Sequence, residues 1–411
     1  MNESQVFEGR SHGRLDVLGG VAEYSGALVL QMPTRGETVV RARLIDQPEL
    51  RFRSEGMDEA VIPLEWWTGL LRTSGGGAAL RGVLQERRLA PWTFYLVGCL
   101  WTLALEKGWV PTRGIDIEVH SGLPVSCGVS SSSALTVATL RALAELAGLA
   151  LPETESAALA HKAEGDFVGA PCRLVDSLAC AHVQSGYLLP ILCRPDQVQR
   201  PVAVPPGICL VGWPSGVRHA VFANPHARVR TASFMGRKML ERATGRKVAQ
   251  TSDFTPMEYH QNQEHLAVAM RGEDFLDAWG GVDDPLSVID PQTVYPVRAA
   301  TQFAIEENDR AARTVASLQR FHLEQDESLL WEIGGHFFAS HTAYGAMGLG
   351  CAETDLMVDY LRNRPLSEGI YGARVSAGGC GGTVVVLLKE SSLPRLSELC
   401  ARLTPAVSLI P

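Results

Sequence analysis

A run of serines, "PVSCGVSSSSAL" at residues 124–135, stands directly before an apolar segment with helical spacing. That segment, "TVATLRALAELAG", ends at Gly148, so a helix is predicted to begin inside the serine run. A helix needs only one serine as its N-terminal cap. The further hydroxyl groups and Gly128 suit an anion site, because a helix N-terminus offers N–H donors and the positive end of a dipole. A polar loop with a redundant cap accounts for this stretch alone equally well.

Two other stretches carry residues that could do chemistry. "AEGDFVGAPCRLVDS" holds Glu164 and Asp176 on either side of a Gly-Ala-Pro-Cys turn. Asp176 lies among apolar residues, where an unpaired carboxylate is costly, whereas Asp166 is expected on the surface. The glycines of "GARVSAGGCGGTVV" would let the backbone approach a ligand closely. The serine run lacks the lysine of a Walker A motif, so ordinary P-loop enzymes are excluded.

The surrounding elements are predicted from periodicity and from proline and glycine positions. The first third of the chain reads as strands and turns, with "SGGGAAL" as a loop beginning at Ser74. Helices are predicted at residues 91–107, after Leu135, at 152–169, around "SFMGRKMLERATG", and over about 287–362. Predicted strands are "ALVLQMPT", "ETVVRARLI", "GIDIEVHS", "ICLVGWP" and the segment that follows the last glycines. The proline-rich residues 200–207 suggest two α+β domains, at 1–205 and 206–411.

Composition limits the class of protein and its partners. The chain has 411 residues and a net charge of −8, which argues against nucleic acid or an anionic membrane as a partner. Its nine cysteines lack metal-ligand spacing, and their odd number fits reduced thiols in a cytoplasm. The N-terminal sequence is not that of a signal peptide, and no apolar run could span a bilayer. A cytoplasmic protein with small-molecule partners is expected.

Taken together, these three stretches resemble the pattern of the GHMP kinases, and all three motifs of that superfamily occur in this chain in the family order. This superfamily includes the galactokinases and the homoserine, mevalonate and phosphomevalonate kinases. "GRLDVLGGVAEYSGALVLQMP" at residues 13–33 is similar to the first motif of the galactokinase branch. The chain is still more similar to the kinase domain of plant L-arabinokinases, with which it shares "GAPC…D", "SG-RH" at 215–219, "MGRKM" at 235–239 and "GGCGGT" at 378–383.

This resemblance implies a two-domain α+β GHMP kinase fold. Its N-terminal domain would be of the ribosomal S5 domain 2-like type and its C-terminal domain a ferredoxin-like α/β domain, with the active site in the cleft between them. The implied activity is an ATP-dependent sugar 1-kinase that phosphorylates the anomeric hydroxyl of L-arabinose to give L-arabinose 1-phosphate. The implied partners are the sugar and ATP, and Mg²⁺ is the implied metal.

The resemblance also assigns roles to individual residues. Asp176 would face the anomeric hydroxyl, and Arg14 would keep Asp176 ionised and stabilise the transferring phosphoryl group. Ser132 and Glu164 would hold Mg²⁺. The ATP phosphates would be bound by Pro124, Gly128, Ser130, Ser131, Ser132, Ser133, Gly378 and Gly379. The sugar would contact Gly20, Glu23, Tyr24, Arg173 and His226.

Several positions near the expected sugar site depart from the pattern of the galactokinase branch. Galactokinases have Glu-His in place of Gly20-Val21. That glutamate binds the hydroxymethyl group of galactose, which arabinopyranose lacks. Arg173 replaces a glycine; its guanidinium could bind the carboxylate of a uronic acid or be neutralised by Asp166 or Glu23. The other departures are Ser177 for glutamine, Pro214 for aspartate and His226 for tyrosine.

These departures leave alternatives open. A galactokinase or a galacturonokinase is the alternative within the same class. A non-catalytic regulator that binds sugar and ATP with a galactokinase fold is the alternative from another class. The presence of Arg14, Ser132, Glu164 and Asp176 speaks against a pure sensor, and the residues at 173 and 226 speak for one.

Overall fold

The computed structural model describes residues 5–73, 76–170, 172–182, 184–217, 225–364 and 366–411. The chain forms two compact units. Unit 1 comprises Met1–Arg14, Pro33–Val125 and Val129–Ser185, and unit 2 comprises Leu15–Met32, Ser126–Gly128 and Gly186–Pro411. Residues 186–205 therefore group with the C-terminal part of the chain. The predicted domain limit at residue 205 stays a prediction.

Unit 1 contains a sheet and six helices among the residues described. The division between the units falls within its first two strands. The strands are β1 (Phe7–Leu18), β2 (Leu28–Ile45), β3 (Glu49–Ser54), β4 (Ala60–Pro63) and β5 (Gly114–Ser121). The helices are α1 (Leu64–Thr73), α2 (Gly77–Glu86), α3 (Thr93–Lys107), α4 (Ser131–Ala147), α5 (Glu153–Lys162) and α6 (Leu174–His182).

Strand β5 in unit 1 has an antiparallel neighbour on one edge and a parallel neighbour on the other. Strand β5 pairs antiparallel with the second half of β2, from Thr38 opposite Ser121 to Ile45 opposite Gly114. Its other edge pairs with β3 in parallel, and a parallel pair needs a long crossover. Helices α1 to α3 supply that crossover. The apolar face of α3 is buried, and the helix ends at Gly108, which adopts a left-handed conformation.

Unit 2 combines short sheets with long helices. Its further strands are β6 (Tyr187–Cys193), β7 (Asp196–Val198), β8 (Val202–Ala203), β9 (Ile208–Pro214), β10 (Met270–Arg271), β11 (Val294–Tyr295), β12 (Ile370–Val375) and β13 (Thr383–Lys389). Its helices are α7 (Pro225–Thr244), α8 (Pro256–Asn262), α9 (Gly272–Trp279), α10 (Val297–Glu324), α11 (Ser328–Met347), α12 (Ala352–Arg362) and α13 (Leu393–Leu403).

Strand β13 lies between β12 and β9 in an antiparallel sheet, and all three strands are largely buried. A separate apolar cluster gathers residues of α7, α10 and α11 around Phe303 and Tyr344. Part of that cluster is a 3₁₀ turn, Gly20–Ser25, which lies between β1 and β2 and carries predicted sugar contacts. The core of unit 2 therefore directly supports this turn.

Most predicted elements are confirmed, including the helix that begins in the serine run and ends at Gly148. The prediction of strands and turns throughout the first third was wrong, because α1 and α2 lie there. The helical middle begins at Val297 and not near residue 287. The two strands predicted at "ALVLQMPT" and "ETVVRARLI" form one continuous strand, β2. Ser74, the predicted start of a loop, lies outside the described residues.

Candidate active site

The N-terminus of α4 is formed by the serine run. Ser130 adopts a left-handed conformation with φ 53°, and its carbonyl accepts the N–H of Ala134 at 2.9 Å. The N–H groups of the first helical residues, 131–133, have no acceptor within the helix. Among the described residues, the Ser130 side chain makes no capping hydrogen bond. The geometry therefore leaves backbone donors at the end of a 17-residue helix, which suits an anion.

Strand β1 holds this loop in place by a close backbone approach. The Arg14 N–H donates to the carbonyl of Val129 at 3.0 Å. A Cβ on Gly13 would lie 2.7 Å from that carbonyl oxygen, and a Cβ on Gly9 would lie 2.0 Å from the carbonyl oxygen of Ala138 in α4. Both glycines are therefore needed where β1 passes the serine loop and the helix.

Glu164 lies beneath the first turn of α4. It belongs to a π-helical turn, Ala163–Val168, that continues α5, and its side chain is fully buried. The Thr136 hydroxyl donates to its Oε1 at 3.2 Å, and within the described residues its buried Oε2 accepts no hydrogen bond. Burial raises the pKa of Glu164 to about 7, against the opposing effect of the Ser132 and Ser133 hydroxyl groups.

This arrangement fits a hard cation. Mg²⁺ prefers oxygen ligands, and a buried carboxylate oxygen without a hydrogen-bond donor is a strong candidate for one. The Ser132 hydroxyl, close enough to Glu164 to affect its pKa, would supply a second oxygen. Within the described ranges there is no group of three or more His, Cys, Asp and Glu side chains that could hold a metal. A cation held by Glu164 and Ser132 would also take oxygen ligands from the substrate.

Asp176, in the first turn of α6, is clamped by two arginines. Arg14 donates to Oδ1 from Nε at 3.0 Å and from Nη2 at 2.6 Å. Arg173 donates from Nη2 to Oδ1 at 3.0 Å and from Nε to Oδ2 at 3.3 Å. The Arg14 and Asp176 side chains are only 3% and 12% exposed, so both ions of this pair are desolvated.

The two arginines keep Asp176 ionised. Burial alone would raise the pKa of Asp176, but Arg14 and Arg173 together lower it well below its ordinary value. The carboxylate is therefore ionised at every physiological pH. It is also a weak base, better suited to orienting a hydroxyl group than to removing its proton.

The structure gives Arg173 a partner that the sequence analysis did not name. Asp176 binds it, whereas Asp166, one of the expected partners, pairs with Lys162 at 3.2 Å. Thr136, which holds Glu164, was also not predicted. A weak signal for Thr136 existed, because it follows Ser132 by four residues and so lies on the same face of α4.

The predicted sugar contacts Gly20, Glu23 and Tyr24 lie on the 3₁₀ turn of unit 2. Gly20 is buried, and Glu23 and Tyr24 are half-buried. The Arg230 guanidinium lies 5.6 Å from the centre of the Tyr24 ring and is paired with Asp284.

A glycine-rich loop, residues 376–382, connects β12 and β13 in the same unit. The backbone is left-handed at Ala377 and again from Gly379 to Gly382, a run of conformations that favours glycine. His226 Nε2 lies 2.8 Å from the carbonyl oxygen of Gly378, so a predicted sugar contact meets a predicted phosphate contact. The Thr383 hydroxyl donates to the carbonyl of Cys127 at 2.7 Å. Arg218 and His219 of the "SG-RH" motif lie outside the described residues.

The predicted site residues thus form separate groups. Unit 1 brings Arg14, Arg173 and Asp176 together, and it places Ser132 and Ser133 beside Glu164. The backbone contact between Arg14 and Val129 connects the two groups. Unit 2 carries Gly20, Glu23, Tyr24, Gly128, His226, Gly378 and Gly379. Pro124, half-buried, precedes the serine loop in unit 1.

The chain is similar to known proteins in sequence and in structure. A model of the GHMP kinases N-terminal domain matches residues 95–184, which include α4, the Glu164 turn and Asp176. The L-arabinokinase of Arabidopsis thaliana is 29% identical over 475 aligned positions, which cover 100% of this chain and 45% of that protein. The chain thus spans less than half the length of this curated relative. The galactokinase of Thermotoga maritima is 25% identical over 390 positions, covering 95% of this chain and 91% of that one.

Solved structures show the same fold. The galactokinase of Lactococcus lactis, solved in complex with galactose, superimposes with a TM-score of 0.75 at 16% identity, covering 99% of this chain and 92% of that one. The mevalonate kinase of Methanococcus jannaschii gives a TM-score of 0.60 at 13% identity, covering 99% and 96%. The predicted GHMP kinase fold is confirmed.

Residues 95–184 match the GHMP kinases N-terminal domain, and the chain has the GHMP kinase fold. Its relatives in sequence are sugar kinases, namely galactokinases and an L-arabinokinase. Among the described residues, no helix is both long and apolar enough to cross a membrane.

Proposed function

We propose that the chain is an ATP-dependent sugar 1-kinase whose substrate is L-arabinose. The anomeric oxygen forms a bond to the γ-phosphorus of ATP, the bond from that phosphorus to the β,γ-bridging oxygen breaks, and ADP leaves. The products are L-arabinose 1-phosphate, ADP and the proton of the sugar hydroxyl. The observation that carries this proposal is the buried Asp176, clamped by Arg14 and Arg173 and linked through Arg14 to the serine loop.

The serine loop would bind the ATP phosphates. The N–H groups at the start of α4 are donors at the helix end, where the helix dipole also favours negative charge, and the hydroxyl groups of residues 130–133 are proposed as further donors. We assign Pro124, Gly128, Gly378 and Gly379 to the same nucleotide, as backbone that approaches it closely. The geometry of the helix end supports its assignment to the phosphates. The assignment of the glycines rests on the resemblance to the GHMP kinases.

Glu164 and Ser132 would hold Mg²⁺. When bound, the ion neutralises charge that develops on the phosphate oxygens during transfer. The described residues support this assignment through the buried Glu164 oxygen that accepts no hydrogen bond. Thr136 donates a hydrogen bond to the other carboxylate oxygen and so helps to orient the side chain.

Asp176 would orient the anomeric hydroxyl and accept its hydrogen bond. Phosphoryl transfer depends mainly on positioning and on electrostatic stabilisation, so an ionised but weakly basic carboxylate suffices. Two arginines bind this one carboxylate, so both guanidinium groups lie beside the group that is proposed to hold the sugar hydroxyl. Arg14 and Arg173 would therefore both act on the phosphoryl group.

L-arabinose is favoured over galactose because the chain has no acid at Gly20 or Val21. Val21 is buried in the core, only 4% exposed, and so offers no replacement. A galactose hydroxymethyl group would lose a hydrogen-bond partner, which costs about 1–3 kcal/mol, or roughly ten- to a hundredfold in kcat/KM. Glu23, Tyr24 and His226 are proposed to contact the remaining hydroxyl groups.

Galacturonate is the second candidate, and Arg173 is the observation that favours it. Its side chain is 22% exposed, so part of it is accessible while it binds Asp176. We place arabinose first because the guanidinium already has a carboxylate partner in the protein, which lowers its need for a substrate anion.

The test is ADP release measured with L-arabinose, galactose and galacturonate, with kcat/KM determined for each. We expect L-arabinose to have the highest kcat/KM, by about tenfold or more over galactose. An advantage for galacturonate that disappears in Arg173→Gly would overturn this order of substrates. Binding of sugar and ATP without ADP release would instead support a regulator. We also propose a cytoplasmic location, which is consistent with the absence of disulfide bonds among the described cysteines.

A further inference from the structure

Three successive backbone amides enter the Gly20–Ser25 turn, and each donates to a buried side chain. The acceptors come from three different elements, β1, α10 and α11. The N–H of Gly19 donates to Glu307 Oε1 at 3.0 Å, that of Gly20 to Asp16 Oδ1 at 3.1 Å, and that of Val21 to Tyr344 Oη at 3.2 Å. The start of the turn is therefore fixed by side chains of its own unit.

Tyr344 differs from the other two acceptors because it also binds the glycine-rich loop. Its hydroxyl donates to the carbonyl of Ala377 at 2.6 Å while it accepts the N–H of Val21. One oxygen thus joins the turn that carries Glu23 and Tyr24 to residues 376–382. Both hydrogen bonds lie within unit 2.

The same hydroxyl occupies the space beside Gly20. A Cβ at Gly20 would lie 1.7 Å from Tyr344 Oη, and 3.0 Å from both the ring carbon that bears it and the carbonyl oxygen of Ala377. Gly20 also has φ +50°, which disfavours any other residue. Position 20 can therefore carry no side chain while Tyr344 keeps its hydroxyl group.

The side chains packed around Tyr344 hold its hydroxyl group in place. The side chain is fully buried, its ring meets Phe303 edge to face with centroids 5.2 Å apart, and the Arg374 guanidinium lies 5.4 Å from the ring centre. Burial raises the pKa of Tyr344, so the hydroxyl keeps the proton that it donates to Ala377.

We propose that Tyr344 is a positioning residue for the sugar substrate. Through its hydroxyl group it fixes the Gly20–Ser25 turn against the glycine-rich loop and excludes a side chain at position 20. It touches no substrate atom and acts through the turn that carries Glu23 and Tyr24. This inference rests on the proposed sugar kinase function, because it assigns the turn to the sugar.

The kinetic test compares Tyr344→Phe with Phe303→Leu. The first variant removes only the hydroxyl group, and the second perturbs the same aromatic pair but leaves both hydrogen bonds in place. We expect Tyr344→Phe to raise the sugar KM about tenfold and the ATP KM less than twofold. Phe303→Leu should leave the sugar KM within about twofold of wild type while lowering the unfolding temperature at least as much. Equal sugar KM changes in both variants would show a merely structural role and overturn the proposal.

A stability cycle tests the contact without any substrate. Gly20→Ala should lower the unfolding temperature strongly in the wild-type background and much less in Tyr344→Phe, because the nearest clashing atom is then absent. Equal losses in the two backgrounds would overturn the assigned role of the hydroxyl. A wild-type protein that releases no ADP with any sugar would overturn the proposed function and the positioning role together. The stability cycle needs no substrate, so it tests the contact between Tyr344 and Gly20 even if the proposed sugar kinase activity is wrong.

Discussion

At the scale of single residues, the proposed chemistry depends mainly on Asp176. Two guanidinium groups hold one buried carboxylate and lower its pKa, so the group is charged at every pH at which the protein is expected to work. The same contacts weaken it as a base. We infer that it contributes by orienting the sugar hydroxyl and by arranging the positive charge of Arg14 and Arg173 around the transferring group.

Asp176→Asn is expected to lower kcat by roughly 10²- to 10⁴-fold, because the neutral amide neither orients a hydroxyl donor as strongly nor balances the two arginines. The measurement is steady-state ADP release, with ATP binding and the unfolding temperature measured in parallel. Since the wild-type carboxylate stays ionised, the ratio of the two kcat values should be constant between about pH 5.5 and 8.

The matched control is Asp166→Asn, which changes a carboxylate that is 59% exposed and paired with Lys162. This variant should retain wild-type kcat. Near-wild-type turnover in Asp176→Asn would show that the catalytic carboxylate lies elsewhere.

At the scale of elements, α4 is the part whose position matters most. Its N-terminus provides the proposed phosphate donors, and its second turn carries Thr136, which donates a hydrogen bond to Glu164. Strand β1 fixes the helix by passing within contact distance of its backbone at Gly9 and of the serine loop at Gly13. The close approach of the β1 backbone therefore helps to set the place of the helix.

Gly9→Ala is expected to destabilise the protein by roughly 1–3 kcal/mol or more, because the new methyl group meets the backbone of α4, which cannot rotate away. Movement of α4 should also raise the KM for ATP. Denaturant unfolding and ATP kinetics measure the two effects.

Gly82→Ala, within α2, provides the comparison. A Cβ there has no described atom within 4 Å, so alanine should stabilise the helix by roughly 0.5–1 kcal/mol without changing the KM for ATP. A Gly9→Ala protein as stable as wild type would contradict the close packing of β1 on α4.

At the scale of the whole molecule, buried ionisable groups set the response of stability to pH. In unit 2, His341 is buried and its Nδ1 accepts the N–H of Val375 at 3.2 Å, which requires a neutral ring. Burial lowers the pKa of His341 to about 4, although Asp355 faces its Nε2 at 3.2 Å and opposes the shift. The other charged groups that affect it are Arg374, Arg362 and Asp359.

The sign of the effect follows from proton uptake. Between about pH 6.5 and 4 the unfolded chain protonates this histidine and the folded chain does not, so stability falls as the pH falls through that window. The loss attributable to His341 should approach about 2–3 kcal/mol near pH 4.

His341→Gln keeps a hydrogen-bond acceptor and removes the titrating group, so its unfolding free energy should depend less steeply on pH in this window. His260→Gln, at a side chain that is 52% exposed, should retain the wild-type slope. The comparison uses denaturant unfolding at several pH values. Identical slopes in all three proteins would contradict the assignment to His341.

The sequence by itself determined the local structure and the class of protein. The helix at the serine run, its end at Gly148, and the glycine loop between two buried strands follow from periodicity and backbone preference, which act over a few residues. The order of three motifs indicated the GHMP kinase fold, which the comparisons confirm. The roles of the named site residues stay predictions, because they depend on bound substrates.

The tertiary structure alone decided which side chains meet. Arg173 binds Asp176 and not Asp166, and the Tyr344 hydroxyl fills the space beside Gly20, 324 positions earlier in the chain. The Tyr344 contact has no local signature, because partners far apart in sequence are set by how helices and strands pack. Arg173 and Asp176 are only three positions apart, and the burial of Asp176 explains why this carboxylate is compensated by a nearby arginine. From the sequence, Gly20 is interpreted as a small residue that suits a pentose substrate. In the folded chain, position 20 requires glycine because the Tyr344 hydroxyl group occupies the space that a side chain would need.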